Sequence, residues 1–321
     1  MSAQLTTNNL SIGYSHKKKI KTVAKGINIS LQQGKLTCLM GPNGIGKSTL
    51  IKTLTGVLPP IMGKVIIGSR NISSLNHRQK AQTISVVLTE RPAAGYMNVR
   101  DLISLGRFPY TNWQNSFAPK DVDIVDHAIK EVGLVDQANN PLGELSDGNF
   151  QKAIIGRALA QDTAILVLDE PTIHLDVNNK TIIIKLLQKL SRQANKSILV
   201  STHDLELAMS FADKLWLFSE DEIIEGIPED LAFNGSIYKV FSESNMAPEQ
   251  ESLGLDHIEF SGNDYGIMLL KQAIIKRKLQ DKIDDISSIS IELRDNIQNI
   301  IYKQNNYQSI EAFLDSLFNL D

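Results

Sequence analysis

The chain has 321 residues, 42% hydrophobic and 21% charged, the composition of a soluble globular protein with room for about two domains. A net charge of −3 gives no reason to expect a nucleic-acid partner, and the single cysteine, Cys38, excludes an internal disulfide. No apolar run approaches the roughly 20 residues that span a bilayer, so any membrane role has to come through a partner.

The opening residues, MSAQLTTNNLSIGY, lack the basic-then-apolar build of a secretory signal, and together with the lone cysteine they point to a cytoplasmic setting. Residues 5–40 alternate apolar and polar positions, with turn signals at Gly13, Lys17–Lys19 and Gln33-Gly34, which predicts an antiparallel β-subdomain. Its last stretch, KLTCLM at 35–40, reads as a short buried strand. Gly41-Pro42-Asn43-Gly44-Ile45-Gly46-Lys47-Ser48 follows, fitting G-x-x-x-x-G-K-[ST] between that strand and a helix over Thr49–Val57. Glycines are needed there because side chains would keep the backbone N–H groups from wrapping phosphates. Lys47 would neutralise the β- and γ-phosphates, and the Ser48 hydroxyl would ligate Mg²⁺. The run from Gly41 to Thr49 is thus the expected contact to a nucleotide and Mg²⁺.

Strands are expected at Lys64–Ile67 and Ala81–Leu88, separated by a short polar helix around His77–Gln79. From Val99 to Ala160 the texture is helical; Asp121–Val132 carries apolar positions at i, i+3 and i+4. Then comes LSDGNFQKAIIGRALAQDTAILVLDEPT, residues 145–172. Its Ser146-Asp147-Gly148 turn before a helix over Asn149–Leu159 is a second phosphate grip, since a helix N-terminus offers free N–H groups and partial positive charge. Its strand, Ile165–Leu168, delivers Asp169 and Glu170 to a carboxyl end, one carboxylate for a metal and the next for water. A helix at Lys180–Leu190 and a strand at Ser197–Ser201 complete an alternation that predicts a parallel α/β sheet with a helical insertion.

Composition shifts after about Ser242. Residues 242–256 are polar and punctuated by Pro and Gly, as in a linker. Beyond them a basic helix is expected over Ile267–Ile283, strands at Ser287–Leu293 and Asn299–Tyr302, and an amphipathic helix at Ser309–Leu320. The basic run KQAIIKRKLQDK lacks interleaved aromatics and is followed by acidic residues, so it reads as a solvated helix face rather than a nucleic-acid patch.

The order phosphate loop, LSDGN, AILVLDEPT, STHD resembles the ATP-binding subunits of ABC transporters over roughly residues 5–240. ISVVLTERP at 84–92, SLGRFPYTNW at 104–113 and the LSDG wording are similar to the iron-chelate importers, which handle siderophore, haem or cobalamin complexes. The resemblance implies a P-loop NTPase core of the ABC ATPase type over 1–242, with an antiparallel β-subdomain and a helical subdomain at about 90–160. A small C-terminal α+β extension at 243–321 would follow. It further implies that Tyr14 stacks on adenine, a flat apolar platform being what a base needs. Asp169 would hold Mg²⁺ through water, Glu170 would polarise the attacking water, and His203 would contact the γ-phosphate. Ser146 and Gly148 would close over the ATP of a second, head-to-tail ATPase subunit, with Asp176 at that interface. Transmembrane permease subunits and, indirectly, a substrate-binding protein are the implied partners, which puts the chain at the cytoplasmic face of the inner membrane.

Several positions depart from that pattern. Thr89 and Glu90 stand where the family has a glutamine that senses Mg²⁺; the Thr89 hydroxyl could still reach a metal-bound water. Asn149 replaces Gln or Glu in the signature and suits the start of a helix. Ile45 occupies a position that is more often small, and His174 one that is more often small or aliphatic. The same motifs serve export ATPases and soluble ABC proteins acting on ribosomes or DNA repair, although this chain shows one signature and no heptad run. A module that binds ATP without hydrolysing it is a third reading, against which Glu170 and His203 stand.

Overall fold

The computed structural model describes residues 3–16, 19–88, 96–111, 117–220, 222–241, 258–262, 264–277, 279, 282–283, 288–294 and 297–318. They form two compact units, Met1–Glu225 and Gly226–Asp321. The expected linker at 242–256, like Thr89 and Glu90, lies outside the described residues.

In the first unit, β1 (Ala3–His16), β2 (Lys19–Ile27), β3 (Ser30–Gln32), β5 (Met62–Ile67) and β6 (Arg70–Asn71) make an antiparallel sheet ordered β2-β1-β5-β6, with β3 paired to β1. The strand at β4 (Leu36–Met40) leaves that subdomain. All five of its residues are buried, and it joins a second sheet with β7 (Ile84–Val87), β8 (Ile165–Asp169), β9 (Ser197–Ser201), β10 (Lys214–Phe218) and β11 (Ile223–Gly226). The order is β11-β10-β4-β9-β8-β7, and the register from β10 through β7 is parallel throughout. β4, β8 and β9 are buried at every position, as expected of central strands covered on both faces. α1 (Lys47–Leu54), α2 (His77–Ala81), α6 (Val177–Gln193) and α7 (Leu205–Phe211) link these strands. Leu39, Leu50, Leu54, Val167, Leu199, Trp216 and Phe218 belong to one buried apolar cluster that also takes in Leu10 and Ile12 of the antiparallel sheet.

The helical insertion is built from α3 (Val99–Ser104), α4 (Pro119–Glu131) and α5 (Asp147–Ala160). A charged cluster pins it. The Arg107 guanidinium donates to Asp121 Oδ1 (2.9 Å) and to the Ala160 carbonyl (2.8 Å), with Arg107 and Asp121 both almost fully buried. Burial pushes the Asp121 carboxyl up, but the Ala118 N–H and Arg107 together hold it below the usual carboxylate range.

The second unit is an α+β layer. β12 (Glu259–Gly262) runs parallel to β13 (Ser288–Arg294), followed by antiparallel β14 (Ile297–Tyr302) and β15 (Asn305–Tyr307). α10 (Asp264–Lys276) and α11 (Ile310–Phe318) contribute Leu269, Leu270, Ile274, Phe313 and Leu317 to its core. α10 is shorter than the expected helix to Ile283, because Leu279 N–H turns back to the Ile274 carbonyl (3.0 Å) and closes the helix end. The unit begins at Gly226, not at 243. α8 (Pro228–Phe233) and α9 (Ser236–Val240) cluster with the C-terminal elements. The reason is polar as much as apolar: buried Glu229 pairs with Lys276 of α10 (3.1 Å), and Asp230 accepts the N–H groups of Ile310 and Glu311 at the start of α11. Composition could not register either contact.

Candidate active site

The carboxyl ends of neighbouring parallel strands β4, β8 and β9 carry the residues singled out in the sequence, the usual ligand position of an open α/β sheet. From β4 the chain turns through 41–46 into α1, whose first residue is Lys47. Two glycines there are dictated by packing. A Cβ on Gly41 would fall 2.4 Å from the Phe218 carbonyl oxygen, and one on Gly46, at φ 120°, would fall 2.4 Å from Val23 Cγ1. Lys47 is buried, and its Nζ donates to the carbonyls of Gly41 (2.8 Å) and Pro42 (3.1 Å). Desolvation lowers the Lys47 pKa, while the nearby Glu170 and Asp169 carboxylates act in the opposite direction. Pro42, Asn43, Gly44 and Ser48 form an exposed rim around this lysine; Ile45 packs against the core cluster.

Register brings the carboxylates to the same place. Asp169 at the end of β8 stands opposite Ser201 at the end of β9. The Ser201 hydroxyl, fully buried, donates to Asp169 Oδ1 (2.6 Å) and accepts the Glu170 N–H (2.8 Å). Glu170 adopts a left-handed backbone, φ 49°, a conformation that costs an ordinary L-residue about 1–2 kcal/mol. That turn swings its side chain to within 3.9 Å of His203 Nδ1, outside direct hydrogen-bond reach. Tyr14 is half exposed and its hydroxyl shares a hydrogen bond with Thr49 Oγ1 (3.0 Å), which fixes the ring beside α1. Lys47, Asp169, Glu170, His203, Tyr14 and residues 41–49 are thus grouped at the carboxyl end of the sheet.

Ser146, Gly148 and Asp176 form a separate group. Ser146 caps α5, its hydroxyl accepting the Asn149 N–H (3.3 Å), and the Asn149 side chain donates to Gln137 Oε1 (3.0 Å). Asp176 caps α6 and takes both the backbone and the side-chain N–H of Asn179, at 2.8 and 2.7 Å. Those bonds hold its carboxyl below the usual carboxylate range.

Residues 24–173 match the family model for ABC transporters. The achromobactin transport ATP-binding protein CbrD of Dickeya dadantii is 34% identical over 74% of the chain and 87% of its own length. The iron(3+)-hydroxamate import ATP-binding protein FhuC of Bacillus subtilis is 33% identical over 69% and 81%. The chain belongs to the ATP-binding proteins of ABC transporters. Among solved structures, cbiO1 from Clostridium perfringens, part of the ABC transporter complex cbiONQ, superposes with TM-score 0.64 at 27% identity, covering 76% of this chain and 96% of that one.

Within this ABC ATP-binding protein, sequence reasoning missed Ser201, which orders both carboxylates at once. Its signal was the pairing register of β8 with β9, which a linear motif does not carry. Lys180 was also missed: at the start of α6 it pairs with Asp204 (3.2 Å), the residue after His203. Among the described residues no helix is long and apolar enough to cross a membrane.

Proposed function

We propose that the chain is the ATP-hydrolysing subunit of an importer for iron-chelate complexes, bound to the cytoplasmic face of the inner membrane through permease subunits. The observation that carries the chemistry is the Ser201-locked pair Asp169–Glu170 beside Lys47 and His203. Lys47 neutralises charge on the β- and γ-phosphates, Glu170 orients and polarises the attacking water, and His203 steadies the γ-phosphate side. The donor set suits Mg²⁺: the exposed Ser48 hydroxyl and the Asp169 carboxylate are hard oxygens. Mg²⁺ bound there neutralises developing phosphate charge. Tyr14 offers its exposed ring to the base.

Ser146 and Gly148 act on the ATP of a second copy arranged head to tail, with Asp176 at that interface, so that ATP joins the two subunits. The relatives' own substrates by name, achromobactin and iron(3+)-hydroxamate, support the iron-chelate assignment. A substrate-binding protein would deliver the chelate to the permease. The test is phosphate release by the purified chain, with and without Glu170→Gln. A fall of at least about 100-fold supports the assignment; equal rates overturn it. Retention by permease-containing vesicles that take up ferric hydroxamate tests the transport half.

A further inference from the structure

Gly148 is required within its own chain, for a reason separate from any partner nucleotide. It sits inside α5, where the backbone is helical and needs no glycine. The space beside it is filled instead: a Cβ at 148 would lie 2.3 Å from Asn179 Oδ1 and 2.7 Å from its Cγ, closer than real Cβ atoms come to their neighbours. Turning that amide away breaks the bond from its Nδ2 to Asp176 Oδ2 (2.7 Å) and leaves Asp176 with the Asn179 backbone N–H (2.8 Å).

The first turn of α6 therefore touches three functional segments. Asn179 meets the signature helix at Gly148 and holds Asp176. Lys180 pairs with Asp204, next to His203. Between Asp176 and Glu170 the chain is a tight succession of turns, with Ile173 N–H bonded to the Glu170 carbonyl (3.2 Å), Leu175 N–H to that of Thr172 (3.3 Å), and left-handed backbone at both Glu170 and His174. Such a segment is short and stiff, so a displacement at one end is carried to the other.

We propose that Asn179 is a positioning residue that couples the two halves of the site. It reports the placement of the signature helix, which serves the partner's ATP, to Asp176 and through it to Glu170, which serves its own. This rests on the dimeric ATPase reading above. Because Asn179 then links the signature helix at one ATP to Glu170 at the other, hydrolysis should depend on ATP with a Hill coefficient above 1.

A size-swap experiment tests it in the full-length chain. Gly148→Ala forces a methyl into the Asn179 amide and should lower phosphate release by about 100-fold. The double variant Gly148→Ala/Asn179→Ala removes the obstacle and should recover at least about tenfold of that loss, a coupling typical of residues in direct contact. Asn179→Ala alone keeps the Asp176 cap through its backbone N–H; it should bring the Hill coefficient to about 1 while leaving trinitrophenyl-ATP binding unchanged. A folded Gly148→Ala chain that Asn179→Ala does not rescue overturns the proposal, as does an Asn179→Ala chain with undiminished cooperativity. If Gly148→Ala fails to fold, the Hill coefficient of Asn179→Ala decides alone. Failure of the ATPase reading itself would show differently, as wild-type hydrolysis indifferent to Glu170→Gln.

Discussion

Ser201→Ala is the sharpest perturbation of the site, because one hydroxyl serves both carboxylates and leaves the phosphate loop untouched. Removing it deletes a charge-assisted bond to Asp169 (2.6 Å) and leaves the Glu170 N–H without its acceptor (2.8 Å). At about 1.5–3 kcal/mol for the first and about 0.5–1.5 for the second, the loss is roughly 2–4.5 kcal/mol. Some of that appears as lower stability. The remainder appears in catalysis, since Glu170 holds a left-handed backbone that its N–H bond helps to fix. If about 2 kcal/mol of positioning is lost at the transition state, kcat falls about thirtyfold. KM for ATP should stay within about twofold, because Lys47 and the loop glycines keep their contacts. Steady-state phosphate release across an ATP titration measures both parameters. Ser201→Thr, which retains the hydroxyl, should recover most of the rate. A Ser201→Ala enzyme within twofold of wild-type kcat would refute this role for the hydroxyl.

Tyr14→Ala should weaken ATP binding by about 1–2 kcal/mol, seen as roughly a 5- to 30-fold higher KM, whereas Tyr14→Phe, which loses only the Thr49 bond, should cost less than about threefold. Arg107→Ala strands buried Asp121 and the Ala160 carbonyl; chemical denaturation of the full chain should show a loss of about 3–5 kcal/mol, and a loss under 1 would remove the pair from the list of structural pins. In the second unit, burial pushes the Asp230 carboxyl up to about 6 from 3.8, reinforced by Glu311 and Glu229 and opposed by the N–H groups of Glu311 and Ile310. A raised folded-state pKa means that Asp230 favours folding most below pH 4, and that this contribution fades as pH rises through 6. By pH 7.5 the ionised form costs roughly 3 kcal/mol. Asp230→Asn removes this titration together with one of the two acceptor oxygens, so its thermal stability relative to wild type should improve by roughly 2 kcal/mol between pH 4.5 and pH 7.5; a difference that does not change with pH contradicts it.

Much of this site could be read directly from the chain. Lys47 and Ser48 follow a strand and open a helix as the motif requires, and Asp169–Glu170 end an apolar run that becomes a central strand. Local sequence encodes such features because each lies within one strand–loop–helix unit. Ser201 was hidden because its role comes from strand register across 31 or 32 residues of chain. Asn179 was hidden because its meaning lies in a tertiary contact with Gly148, 31 residues away in sequence, which no local pattern carries. The start of the second unit was misplaced because hydropathy marks a polar linker, whereas α8 is held to the C-terminal elements by buried ion pairs and capping bonds.

The central claim is that the two ends of the Leu145–Thr172 segment serve different ATP molecules, and mixing two inactive variants tests it directly. Lys47→Ala destroys the phosphate grip, and Ser146→Arg destroys the signature. In a head-to-tail dimer, a heterodimer of the two keeps one intact site, with Lys47 from one chain and Ser146 from the other. Equal mixing should therefore restore phosphate release to as much as about a quarter of wild type, since half of the dimers are mixed and each holds one working site of two. If the mixture hydrolyses ATP no faster than either variant alone, although mixed dimers demonstrably form, each chain houses a self-contained site and the composite arrangement is wrong.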